Sequence, residues 1–258
     1  MHKALVIGID HYADAGCLYG CVNDAHSMRA ALERHGDGSV NFDVRLETAT
    51  GEPTAISRGE LKDAVEELFR DPAEVALFFF AGHGHIESSG GYLCASDCSR
   101  GDDGLSLTDV LAYANGSPAR NKVVVLDCCH AGFAGTTTPG SDRADLTEGL
   151  TILTASSAEQ YAAEEQGEGV FTKLFVDALN GGAANLVGDI TPGSIYAHID
   201  QSLGPWQQRP LFKTNVRSFV SLRRVQAPIP LRDLQRLTEL FPEPGYMLLA
   251  DADHRQAA

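Results

Sequence analysis

Residues Lys122-Val-Val-Val-Leu126 form a short apolar run rich in β-branched residues and without a polar face, the pattern of a strand covered on both sides. Such a strand requires helices above and below it, which confines the chain to a layered α/β arrangement. The run ends at Asp127 and then sets down Cys128, Cys129, His130, Ala131 and Gly132. Val75–Ala81 has the same form and is followed by Gly82, His83, Gly84 and His85. Chemistry in open α/β sheets collects at the carboxyl ends of the strands. The thiols of one strand end and the imidazoles of the other are therefore candidates for a common site.

The remaining elements agree with that architecture. Lys3–Ile9 reads as a buried strand leading into Asp10, His11 and Tyr12. A helix is predicted from Asn23 to about His35, with Asn23 or Asp24 as its N-cap and Ala25, Met28, Ala31 and Leu32 on its inner face. Asn41–Leu46 alternates as a strand, and Ser57 caps a helix over Arg58–Arg70 that ends at Asp71-Pro72. Strand and helix alternate up to Ala81, which favours a mainly parallel sheet. Beyond it come a hairpin about Tyr92–Cys94, a helix over Thr108–Ala114 and a strand over Leu150–Ala155. Helices over Val170–Ala178 and Ser194–Leu203, a last strand over Val216–Leu222 and a helix over Leu231–Leu240 complete the prediction. Residues 1–224 read as one domain and 225–258 as a helical C-terminal extension and tail.

The formal net charge of −15 argues against a nucleic-acid partner, because phosphate binding needs Lys and Arg. The acidity serves surface solubility, or in part a cleft that selects basic ligands. No stretch has the length and apolarity of a membrane span, and the first strand leaves no room for a signal peptide. The six cysteines fit reduced thiols and a cytoplasmic location better than a disulfide framework.

A lone cysteine at a strand end is more often a small core residue than a nucleophile. Cys129 is accompanied by Asp127, His130 and Gly132, and a second strand end supplies His83. Thiol attack on a carbonyl needs a base, and such partners are usually distant in sequence. Cys128 competes for the role, but neighbouring strand residues face opposite ways, so one of the pair faces the cleft. The glycines around His83 permit close backbone approach, and the Gly84 amide is placed to donate to an oxyanion. The plainer readings are an incidental turn histidine at His83, surface or support roles for His85 and His130, helix capping by Asp24 and strand ending by Asp127. Zinc is the other chemistry these residue types allow. Adjacent Cys-Cys-His is poor spacing for it, and Cys17/Cys21 and Cys94/Cys98 lack a zinc-ribbon context.

Ala81-Gly82-His83-Gly84 and Asp127-Cys128-Cys129-His130-Ala131-Gly132 resemble the two catalytic motifs of caspase-like cysteine peptidases, nearest to metacaspases and bacterial caspase-family proteins. Lys3–Asp10, Gly20–Ala25, Leu153–Gln160 and Gly169-Val170-Phe171-Thr172 are similar to further segments of that family, so the resemblance covers about Met1 to Leu222. It implies a three-layer α/β sandwich with a mostly parallel sheet of about six strands, helices on both faces and an antiparallel edge strand. It implies His83 as general base, Cys129 as nucleophile, and the amides of Gly84 and Cys129 as the oxyanion hole. Cys21, Asp24 and Asp127 would line the pocket for the residue before the cut, giving cleavage after Arg or Lys in exposed protein sites. No cofactor is required. Where family members need calcium, the acids of this chain to examine are Asp97, Asp102 and Asp103.

Ala81 stands where metacaspases usually carry serine, and Cys128 where serine is frequent. The segment after Cys129 contains Arg143, the expected processing site of a zymogen cut by itself or by an upstream protease. The resemblance also implies proteolytic signalling, antiphage defence included, with a separate sensor protein as activator. A catalytically silent caspase-like module that recruits a partner is the alternative from another functional class.

Overall fold

A computed structural model of the chain describes residues 1–88, 90–100, 102–128, 146–155, 164–165, 168–204 and 209–241. Its strands are β1 (His2–Ile9), β2 (Phe42–Ala49), β3 (Val75–Ala81), β4 (Gly84–Glu87), β5 (Gly90–Leu93), β6 (Leu105–Ser106) and β7 (Asn121–Asp127). They continue as β8 (Leu150–Thr154), β9 (Glu164–Glu165), β10 (Glu168–Gly169), β11 (Asp189–Ile190), β12 (Leu211–Asn215) and β13 (Arg223–Arg224). The helices are α1 (Cys21–Glu33), α2 (Arg58–Arg70), α3 (Leu107–Gly116), α4 (Val170–Asp177), α5 (Pro192–Ser202), α6 (Leu231–Gln235) and α7 (Leu237–Leu240).

Six strands form the main sheet in the order β12-β8-β7-β3-β1-β2. All neighbouring pairs are parallel except β12 with β8. The chain leaves β1 for β2 on one side and returns through α2 to β3 on the other. With right-handed crossovers, that reversal places α1 and α2 on opposite faces. The predicted three-layer α/β sandwich is thus the fold observed.

Strand periodicity divides the core into two halves. Leu5, Ile7, Phe78, Phe80, Val124 and Leu126 pack under α2 and α3 with Leu61, Val65, Val110 and Leu111. The alternate residues Val6, Leu77, Phe79, Val123 and Val125 pack under α1, α4 and α5 with Met28, Leu32, Phe171, Phe175 and Ile195. A small sheet in the order β4-β5-β6 leans on the first half, and the expected hairpin is part of it. Among the described residues no helix is long and apolar enough to cross a membrane.

Three local expectations are corrected. The antiparallel edge strand is Leu211–Asn215, with Leu211 opposite Thr154, and Val216–Leu222 is not a strand. Val220 and Leu222 turn into the α1/α4 half of the core while Phe219 is exposed. The partly polar Lys213, Thr214 and Asn215 suit an exposed edge, where Thr214 shares a hydroxyl hydrogen bond of 2.8 Å with Thr151. The helix expected from Asn23 starts at Cys21, and neither Asn23 nor Asp24 is its cap. Its first amides, those of Cys21 and Val22, donate instead to the Asp10 carboxylate at the end of β1 (2.9 and 3.4 Å). The helix expected over Leu231–Leu240 is two short ones, α6 and α7.

Candidate active site

His83 stands at the carboxyl edge of the sheet beside the parallel neighbours β1 and β3, from which the chain continues to opposite sides, to β2 and to β7, the switch point where such sheets bind ligands. Ala81 pairs with Gly8 of β1 and Asp127 of β7, so β3 ends between both neighbours. Gly82 then passes so close to them that a Cβ there would lie 2.6 Å from the Tyr12 hydroxyl and 2.9 Å from the Phe80 ring. Only glycine fits that passage.

Beyond it, the His83 backbone N–H donates to the Tyr12 hydroxyl at 2.7 Å, and the imidazole tilts over the Tyr12 ring with centroids 4.6 Å apart. Burial pushes the Tyr12 hydroxyl well above the ordinary tyrosine range, with the His83 amide pulling the other way, so it remains a neutral phenol. His83 Nε2 lies 2.7 Å from the Gly16 carbonyl oxygen. A carbonyl only accepts, which assigns the proton to Nε2 and leaves Nδ1 as the basic nitrogen.

The two candidate pocket acids occupy the opposite half of the core. Asp24 lies one helical turn after Cys21 on α1, and Asp127 ends β7; they are 4% and 7% exposed. At that burial a carboxylate needs hydrogen-bond donors. Asp24 accepts the Gly169 amide on both oxygens (3.1 and 3.0 Å), while Asp127 Oδ2 accepts the Thr172 amide at 3.2 Å and hydroxyl at 2.6 Å. A Cβ on Gly169 would stand 2.5 Å from Asp127 Oδ2 and 2.8 Å from Asp24 Oδ2. The two oxygens are therefore no farther apart than the sum of those distances. Two carboxylates so placed suit a cation that donates on two sides.

Cys128 is 2% exposed and belongs to the core half under α2 and α3, on the opposite side of the strand from Asp127. Of the two adjacent thiols, this one packs in the core. Cys21 is likewise buried, at the head of α1. His85 is at the surface, 3.4 Å from Glu87. Gly84 lies opposite Leu93, and Cys94 donates to the His83 carbonyl at 3.0 Å. In the alternation of an antiparallel ladder this turns the Gly84 N–H away from β5. An open groove of about 280 Å³ adjoins His83 and Gly84, lined also by Gly16, Cys94, Cys98 and Arg100. Cys129, His130 and Arg143 lie outside the described residues.

The calcium candidates do not converge. Asp97 accepts the Arg58 amide at 2.9 Å, Asp102 faces the Arg100 guanidinium at 3.4 Å, and Asp103 accepts the Ser99 and Arg100 amides and the Cys98 thiol. Among the described residues no three His, Cys, Asp or Glu side chains gather where they could hold a metal ion. Four contributors were not singled out from sequence: Tyr12, the Gly16 carbonyl, Gly169 and Thr172. The last two stand in a segment noted for its resemblance but given no role, Tyr12 lies three residues beyond β1, and a backbone carbonyl leaves no sequence signal.

The family described as Caspase domain, a peptidase family, matches residues 1–238. Metacaspase-4 of Arabidopsis thaliana is 29% identical over 146 residues, 50% of this chain and 33% of that protein. Metacaspase-2 of Trypanosoma brucei brucei is 29% identical over 144 residues, covering 50% and 41%. The matches thus span well under half the length of these curated relatives. Caspase-1 from Spodoptera frugiperda superposes with a TM-score of 0.63 at 14% identity, over 88% of this chain and 92% of that one. A protein of Geobacter sulfurreducens superposes with a TM-score of 0.61 at 18% identity, over 89% and 99%.

Proposed function

The chain belongs to the caspase-domain family of cysteine peptidases, and on that premise we propose that it is an endopeptidase cutting proteins after Arg or Lys through the dyad His83 and Cys129. The observation that carries the reading is the state of His83, anchored at Nε2 by the Gly16 carbonyl with Nδ1 left as base. The strand register supports the partner. Ala81 and Asp127 are paired on adjacent strands, and His83 and Cys129 each follow two residues later.

In this mechanism Nδ1 takes the Cys129 thiol proton and the thiolate adds to the scissile carbonyl. The oxyanion receives the amides of Gly84 and Cys129. His83 returns the proton to the leaving amine, and water, deprotonated by the same imidazole, hydrolyses the thioester. No cofactor enters these steps.

Selectivity for a basic residue rests on Asp24 and Asp127, with Cys21 in the wall; their two buried carboxylates reject an acidic residue by charge. Arg143 is the proposed processing site, and proteolytic signalling, antiphage defence included, with a separate activator is the proposed setting. Fluorogenic peptides with Arg, Lys or Asp before the cut test the reading. Turnover of Arg and Lys peptides that vanishes in Cys129→Ala is expected. Turnover of the Asp peptide, or none of any, overturns it.

A further inference from the structure

Resting on the reading of Asp24 and Asp127 as the cation pocket, we propose that Gly169 and Thr172, at the entry of α4, are its positioning residues and set its preference for a guanidinium. The backbones of the two acids are fixed by the core, since Asp127 ends a fully buried strand and Asp24 sits on the inner face of α1. The short segment 169–172 donates hydrogen bonds to both of them.

Thr172 is 1% exposed and applies two donors to a single oxygen, Asp127 Oδ2. Such charge-assisted bonds define the orientation of the group as well as its energy. Gly169 holds Asp24 through its amide and, lacking a side chain, lies against both Asp24 Oδ2 and Asp127 Oδ2 without displacing either. Any Cβ there would press on both carboxylates.

Orientation matters more for one cation than for the other. A guanidinium is planar, with donors fixed along its edges, and bridges two carboxylates only when their planes suit it. An ammonium is a compact charge with rotatable donors, and tolerates a carboxylate that has swung. Loss of the Thr172 hydroxyl therefore weakens Arg binding more than Lys binding. Because the segment acts on the ligand through the acids, its effect falls on KM rather than kcat.

The test measures kcat and KM on peptides matched except for Arg or Lys before the cut. Thr172→Val is expected to raise KM for the Arg peptide about tenfold, the scale of one charged hydrogen bond, with kcat little changed. The Arg-over-Lys preference narrows, and Thr172→Ser, which keeps the hydroxyl, restores both. Gly169→Ala raises KM further. If Thr172→Val does not fold, Thr172→Ala gives the same comparison. A wild-type KM for the Arg peptide in the variant, or an equal loss on both peptides that serine does not restore, overturns the proposal.

Should the wild-type protein cleave neither peptide, the peptidase reading falls, and the pocket is then probed with benzamidine. Thermal stabilisation of the wild type by benzamidine that is lost in Thr172→Val sustains the proposal. No stabilisation of the wild type, or the same in both, overturns it.

Discussion

The Gly16 carbonyl oxygen lies 2.7 Å from Nε2 of His83, so a neutral backbone group, and not a carboxylate, orients the imidazole. The loop carrying Gly16 is tied down in turn, since Ala13 donates to the Ser96 carbonyl at 2.9 Å and Leu18 to the Asp10 carbonyl at 2.9 Å. The ring and the strand end that bears it are thus held at two points, Gly16 at the side chain and Tyr12 at the backbone.

Tyr12→Phe tests the second point. The substitution keeps the ring under the imidazole and removes the acceptor of the His83 N–H. A part-buried amide left without a partner costs about 1–3 kcal/mol. We expect a lower melting temperature and a kcat reduced by about tenfold, since a small misplacement of a catalytic group has that scale of effect. A variant with wild-type kcat would show that Gly16 alone suffices to hold His83.

If His83 and Cys129 act as one unit, their losses do not add. Each of His83→Ala and Cys129→Ala is expected to lower kcat by about a thousandfold or more, and the double variant no further. Steady-state rates on an Arg peptide for the three variants decide it, with a multiplicative loss in the double variant as the contrary result. Intact mass after incubation checks processing on the same samples. A cut after Arg143 in the wild type that is absent from Cys129→Ala marks self-cleavage, and equal intact masses remove it.

How far the sequence revealed this site depends on which atoms do the work. The strands over Val75–Ala81 and Lys122–Leu126 were legible because burial on both faces demands unbroken apolar runs. His83, Asp24 and Asp127 were legible as residue types at motif positions. What they bind was not. The Asp24 carboxylate serves Gly169, 145 positions away, where local spacing suggested a helix cap. Gly16 contributes a carbonyl, which any residue possesses. Val216–Leu222 was misread as a strand because β-rich composition reports burial on a pleated surface, and here Val220 and Leu222 are buried in irregular chain.

Gly82 should tolerate no side chain. Its Cβ would meet the Tyr12 hydroxyl and the Phe80 ring well inside contact distance, and both are fully packed. Overpacking of this kind costs about 1–3 kcal/mol. Because the displaced groups are those that carry His83, Gly82→Ala is expected to lose most activity at a temperature where it remains folded. Thermal melting and kcat measured together separate the effects, and unchanged kcat in a destabilised protein would limit Gly82 to packing.

Acid should loosen the loop beside the His83 groove through Asp103. The Cys98 thiol, at 2.9 Å, and then the Ser99 amide hold the Asp103 carboxyl well below the usual carboxylate range, against a small opposing effect of burial. A group whose folded value is depressed stabilises the fold in its charged form. Its contribution is complete above the unfolded carboxyl value of about 4 and is lost as pH falls from there toward the folded value. Asp103→Asn keeps the shape but lacks the charge and one acceptor. It should melt below the wild type at neutral pH, with a gap that narrows progressively below about pH 4 as the carboxyl of the unfolded wild-type chain protonates. Paired melting curves between neutral pH and pH 3 measure the gap. A gap of constant size across that range would show that side-chain shape, and not the carboxylate charge, supports the segment on which Cys98 meets the groove.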